Sequence, residues 1–201
     1  MADFHLATIP TRLSWRHDPV AWNVDAEEQL TIQAGATTDW FSDPAGSPPK
    51  DDAPAAIFFS TDQQFTLSAS VQVAFAATFD AGALLACVSD DLWAKLCFEY
   101  SPQRQPMVVS VVTRGVSDDC NSTPLTRDSV FLRITRREAI LAFHYSLDGA
   151  VWELVRYFTL GDAPRMELVF SAQSPTGNGC EVAFSEIRYS SSAVSDLRSG
   201  A

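Results

Sequence analysis

Between Phe65 and Phe75 the chain alternates without a break. Phe65, Leu67, Ala69, Val71, Val73 and Phe75 fall on one side, and Thr66, Ser68, Ser70, Gln72 and Ala74 on the other. A period of two with one apolar and one wet face predicts a long antiparallel strand that half covers a core. The same pattern returns at 129–136, with Val130, Leu132 and Ile134 against Phe131, Arg133 and Thr135. It returns again at 139–146, with Leu141, Phe143 and Tyr145 against Ile140, Ala142 and His144. Residues 83–88 are nearly all apolar, and 107–114 form a β-branched run. Shorter runs at 30–32, 151–158, 165–174 and 180–189 complete the set. Turn signals separate them at Asp80–Gly82, Ser89–Asp91, Ser101–Pro106, Leu147–Gly149 and Pro175–Gly179. Ten or more short strands, with no long amphipathic helix and no repeat, predict an all-β, antiparallel two-sheet sandwich.

One strand has two faces of different character. In residues 93–100, Leu96, Phe98 and Tyr100 share one side and Trp93, Lys95, Cys97 and Glu99 the other. The first side belongs in a core; the second is expected to line a groove. Elsewhere the pattern is irregular. Trp15 and Trp22 are expected to pin a non-periodic N-terminal segment onto the body. Residues 42–54, with four prolines and three aspartates, read as a long loop, either a plain surface excursion or a functional one. Residues 1–189 are expected to form a single β-sandwich domain, and 190–201 a disordered polar tail.

Composition narrows the partners. The chain has 201 residues, 46% of them hydrophobic and 19% charged, enough to bury a sizeable core. A net charge of −11 argues against nucleic acid and anionic membrane as partners unless charge is locally segregated. No apolar run reaches the roughly 18 residues of a membrane span. The N-terminus lacks the basic and apolar regions of a signal peptide, so a cytoplasmic location is expected. Cys87, Cys97, Cys120 and Cys180 show no metal-ligand spacing and are expected to be free thiols, with no bound metal. Asp51-Asp52 and Asp118-Asp119 read as turn acids rather than calcium ligands. No phosphate loop or dinucleotide fingerprint occurs, so no cofactor is expected.

Several blocks together carry a resemblance. Thr38-Asp39-Trp40-Phe41, Ala83-Leu84-Leu85 with 93–100, and 111–118 (Val-Val-Thr-Arg-Gly-Val-Ser-Asp) are three of them. Residues 132–137, continued by Tyr145-Ser146-Leu147-Asp148-Gly149 and Trp152, form the clearest. Ser174-Pro175 with Gly177, Gly179 and Phe184 closes the set. Over roughly Trp15 to Tyr189 the chain resembles the DUF1349 family, which includes the fungal "regulation of enolase" type proteins. The resemblance implies a concanavalin A-like lectin/glucanase sandwich, or jelly roll, and brings no established activity. The chain departs from the family pattern at Cys87, at Asp119 and in residues 42–54.

Sandwiches of this kind hold carbohydrate on a concave sheet, with aromatic rings against sugar faces and polar groups on hydroxyls. Trp93, Lys95, Glu99, Arg133 and His144 are the expected floor, with Asp39, Trp40, Arg114 and Asp118 at its ends. Glycoside hydrolysis needs paired carboxylates, and Glu99 has none two or four positions along its own strand. The expected function is therefore a non-catalytic binding or regulatory module for a small, sugar-like molecule or a protein partner. The alternative is a cofactor-independent isomerase or cyclase of small-molecule biosynthesis. There His144 would pair with Glu99 or Asp118 for proton transfer.

Overall fold

The computed structural model describes residues 3–201. In chain order the strands begin with β1 (Ser14–Trp15), β2 (Ala21–Val24), β3 (Leu30–Gln33), β4 (Trp40–Phe41) and β5 (Lys50–Asp51). Then come β6 (Ala55–Ser60), β7 (Gln64–Val73), β8 (Ala81–Ser89), β9 (Leu92–Tyr100), β10 (Pro106–Arg114) and β11 (Val116–Pro124). The last are β12 (Ser129–Arg137), β13 (Ile140–Ser146), β14 (Glu153–Thr159), β15 (Met166–Gln173) and β16 (Glu181–Ser190). Sheet I runs β1-β6-β15-β8-β9-β10-β11, and sheet II runs β14-β13-β12-β7-β16-β3-β2. Every pairing is antiparallel. The all-β, two-sheet jelly-roll sandwich expected from the sequence is the architecture found.

Alternating strands build the main core. Leu67, Ala69 and Val71 of β7 and Leu132 and Ile134 of β12 pack from sheet II. They meet Leu84, Leu96, Phe98, Val108 and Phe170 from sheet I. The Leu96/Phe98 side of β9 therefore faces inward, as its periodicity requires.

Sheet I is also buried on its other face. Leu85, Trp93, Cys97, Val109, Val111 and Val169 form a second apolar cluster with Trp40 and Ala53, which the 38–54 segment contributes from above. This explains the continuous apolar run of β8, because a strand covered on both sides has no wet face to supply polar residues. The Pro-rich stretch is thus no free excursion. Its β4–β5 ribbon roofs sheet I, and Trp40 Nε1 donates to Ala53 O at 3.2 Å beneath it.

The polar tail, expected to be disordered, lies across the outer face of sheet II. Leu197 and Gly200 are buried there, and the carbonyls of Leu197 and Gly200 accept bonds from His144 and Arg133. Low hydrophobicity hid this docking, because the contacts are made mostly by backbone oxygens. Cys87, Cys97 and Cys180 are buried free thiols and Cys120 is an exposed one.

Candidate functional site

Lys95 sits in mid-β9, paired with Leu85 of β8 and Val111 of β10, so its stem crosses an apolar layer. At the top its Nζ donates to Trp40 O at 2.7 Å and Gln173 Oε1 at 2.9 Å, and lies 3.6 Å from Asp39 Oδ1. Burial works against its charge, but the acids around it, Asp39, Asp119 and, once ionised, Glu99, outweigh that and raise its pKa. The ammonium thus ties the roof ribbon to the sheet and stays cationic.

Glu99 is four residues along the same strand face and 9% exposed. Burial pushes its carboxyl up to about 8; Lys95 opposes the shift, while Asp119 and Asp39 add to it. At neutral pH this side chain is mostly a protonated acid and can donate a hydrogen bond. Asp119 reaches the same space from β11. Val111 pairs with both Lys95 and Asp119, which puts all three on one face. Burial raises the Asp119 pKa as well.

These groups floor a cavity of about 150 Å³, with Asp39, Lys95, Glu99, Asp119 and Gln173 as its polar lining. Phe41, Phe79, Val111 and Pro175 form the walls. Among the described residues, no three His, Cys, Asp or Glu side chains stand together to hold a metal.

Three loops fix the rim. Phe79 has φ of 70°, a left-handed conformation that is rare for a bulky side chain and marks a constrained position. The constraint comes from its neighbours. Buried Asp80 accepts from Ala76 N and Ala77 N through Oδ2, and from Ser174 Oγ at 2.6 Å through Oδ1. Thr176 Oγ1 donates to Thr78 O, and Gln173 Nε2 to Phe79 O. Gly177 cannot be replaced without crowding, since a Cβ there would stand 2.6 Å from Ser174 Oγ. Ser174 N in turn donates to Thr38 O, at the root of the roof ribbon.

The expected site residues divide between several places. Asp39, Lys95 and Glu99 do line one cavity. Trp40 and Trp93 are not stacking platforms: they are 1% and 2% exposed and meet edge to face at 6.1 Å inside the second cluster. Arg114 lies at the β10–β11 turn and donates to Thr159 O across to sheet II. Asp118 points to the other side of β11 from Asp119 and pairs with Arg156 at 3.3 Å.

Arg133 and His144 belong to sheet II and pack on its outer face under the tail. His144 is fully buried, and burial, assisted by Arg133, pushes its pKa down to about 4. The core of the sandwich separates it from Glu99, and Asp118 is engaged elsewhere. The expected pairing of His144 with Glu99 or Asp118 for an isomerase or cyclase is therefore not formed. The open groove expected on β9 is instead a small roofed cavity.

Asp119, Gln173, Phe41 and Phe79 line the cavity without having been singled out as binding residues. Asp119 had a legible signal. With Gly115 as the turn, Arg114 faces Val116, and counting back pairs Val111 with Asp119. Gln173 and Phe79 had none, because loop packing alone brings them in.

Comparison with solved structures places this geometry among known sandwiches. A functionally unknown protein from Saccharomyces cerevisiae superposes with a TM-score of 0.82 at 23% identity, covering 89% of this chain and 95% of that one. A xylan β-1,4-xylosidase from Bacillus halodurans matches with a TM-score of 0.66 at 12% identity, over 87% of this chain. This chain spans only 36% of that enzyme. A legume lectin-like domain from Entamoeba histolytica matches with a TM-score of 0.58 at 12% identity, covering 88% and 89% of the two chains. At these identities the likeness establishes the fold. A sequence search of curated proteins finds no match. The family model described as "Protein of unknown function (DUF1349)" matches residues 15–192, and the chain belongs to that family.

Proposed function

We propose that this protein is a non-catalytic binding module that holds one small, sugar-like polyhydroxylated ring in the cavity above Lys95 and Glu99. One observation carries the reading: aromatic walls and a mixed donor–acceptor floor meet in one small, rigidly framed space. Phe41 and Phe79 offer flat apolar surface to the C–H face of a ring. Protonated Glu99 supplies a donor, and Asp39, Asp119 and Gln173 oxygens supply acceptors. Drug-sized ligands occupy cavities of about 300–1,000 Å³. The roughly 150 Å³ here suits a single ring or the terminal residue of a chain. The lectin-like and xylosidase likenesses are consistent with such a ligand as fold-level analogy.

The test is a titration of neutral monosaccharides (xylose, glucose, galactose), followed by the amide resonances of the cavity loops. Saturable shifts in residues 39–41, 78–80 and 173–177 are expected, weakened about tenfold in Phe41→Ala, a loss of about 1.4 kcal/mol. If no monosaccharide perturbs these loops, or Phe41→Ala binds equally well, the assignment is wrong.

A further inference from the structure

The outer face of sheet II concentrates hydrogen-bond donors in a chain whose net charge is −11. Strand register fixes the arrangement. Arg188, Ser68, Arg133 and His144 form one row across β16, β7, β12 and β13. Thr66 and Thr135 pair in the next row, and Arg137 pairs with Gln64 beyond it. Arg133 is 6% exposed, and its guanidinium lies 4.0 Å from the centre of the Trp152 ring. Among the described residues, neither Arg133 nor Arg137 has a carboxylate at ion-pair distance. Asp196, in the tail, is the acid whose charge Arg137 feels, and Glu186 pairs with Arg188 at 3.7 Å.

Three buried polar atoms on this face lack any hydrogen-bond partner: Arg133 Nε, Thr135 Oγ1 and His144 Nδ1. A buried cation satisfied only by neutral acceptors bears a desolvation cost that an anion would offset. What covers the row is the tail, and it does so with oxygens. Gly200 O accepts from Arg133 Nη2 at 2.8 Å and Leu197 O meets His144 Nε2 at 3.0 Å. Ser195 O accepts from Arg137 Nη2 at 3.0 Å, and Val194 O accepts from the same nitrogen. Gly200 is needed for this fit. Its φ is +78°, and a Cβ would stand 2.8 Å from Arg133 Nη2 and 3.0 Å from Trp152 Cβ. Leu197 is the one large apolar side chain of the tail that is fully buried.

We propose that the Arg133–His144 row is a second ligand site, for a small molecule bearing a phosphate or carboxylate group, and that the C-terminal segment occupies it as a displaceable stand-in. The planar guanidinium of Arg133, backed by Trp152, matches two oxygens of such a group, and Thr135 and Arg137 flank it. This site lies on the other sheet from the Glu99 cavity, so neither assignment depends on the other.

The experiment uses the full-length chain with Leu197→Ser and Gly200→Val together. These changes remove the apolar anchor and crowd the tail out of the niche, and leave every floor residue in place. Amide exchange of residues 194–201 reports release of the tail, and the sheet amides report that the sandwich is intact. Inorganic phosphate and acetate are then titrated at constant ionic strength, with chloride as the control. The released chain is expected to bind phosphate at least about tenfold more tightly than the unsubstituted chain, with Arg133→Gln added to the double variant reversing the gain. Binding of acetate as well assigns the site to oxyanions generally; phosphate alone narrows it to phosphate. Three results overturn the proposal: a tail that stays protected in the double variant, a released tail with no anion binding, or binding that survives Arg133→Gln. Should the double variant not fold, Leu197→Ser alone is carried through the same titration and judged by the same outcomes.

Discussion

Replacing Glu99 by Gln removes one ionisable group from the cavity floor and should change how stability depends on pH. In the folded chain the Glu99 carboxyl is pushed from its ordinary 4.5 up to about 8, chiefly by burial. Below about pH 4.5 both folded and unfolded chains carry the proton, so the group makes no difference to folding. As pH rises above 4.5 the unfolded chain releases the proton and the folded chain keeps it. Folding is then progressively disfavoured until the folded carboxyl also ionises near pH 8. At about 1.4 kcal/mol per pH unit, the full span corresponds to about 5 kcal/mol, and the part reached by pH 7 to about 3 kcal/mol. That is a large share of the 5–15 kcal/mol typical of a folded domain. Glu99→Gln keeps a side chain of the same shape that cannot ionise. Urea unfolding followed by tryptophan fluorescence, under reducing conditions for the free thiols, measures both proteins from pH 5 to pH 9. The two should be close at pH 5, and the variant should be the more stable by several kcal/mol at pH 9. A gap that changes by less than about 1 kcal/mol over this range would refute the buried, proton-holding Glu99 and the floor built on it.

Trp40→Ala should cost about 3–5 kcal/mol in the same unfolding assay, because Trp40 is a core side chain of the roof and not a ligand platform. A loss of binding without loss of stability would contradict that. Phe79→Gly should leave stability within about 1 kcal/mol, since relief of the left-handed backbone offsets the added chain entropy. Its monosaccharide affinity should fall about tenfold by titration, as a wall is lost. Asp119→Asn should weaken that binding while Asp118→Asn leaves it unchanged; the reverse outcome would place β11 one residue out of register.

Much of this was legible along the chain, and the limits are physical. Alternation assigned Leu96 and Phe98 to the core and grouped Lys95 with Glu99, because a strand's side chains must take opposite sides in turn. The nearly all-apolar run of β8 fits a strand covered on both faces, and it is the roof that covers the second one. Periodicity does not say which layer covers a face. Trp93 shares a side with Lys95 yet ends under Trp40, and Lys95 reaches past them to the roof's carbonyl. His144 shows the limit most plainly. Alternation gives its strand, but nothing local distinguishes sheet II from sheet I, and its distance from Glu99 depends on that choice alone.

The sequence by itself determined the all-β class, the strands, and the pairing of Lys95 with Glu99 on one face, since those follow from a two-residue period and turn chemistry. Only the tertiary structure decided that the Pro-rich segment is a roof, that Gln173 and Phe79 join the cavity, and that the tail seals Arg133 and His144 on the opposite sheet. Strand register, loop packing and backbone-carbonyl contacts join residues distant in the chain, and they leave no periodic trace in it.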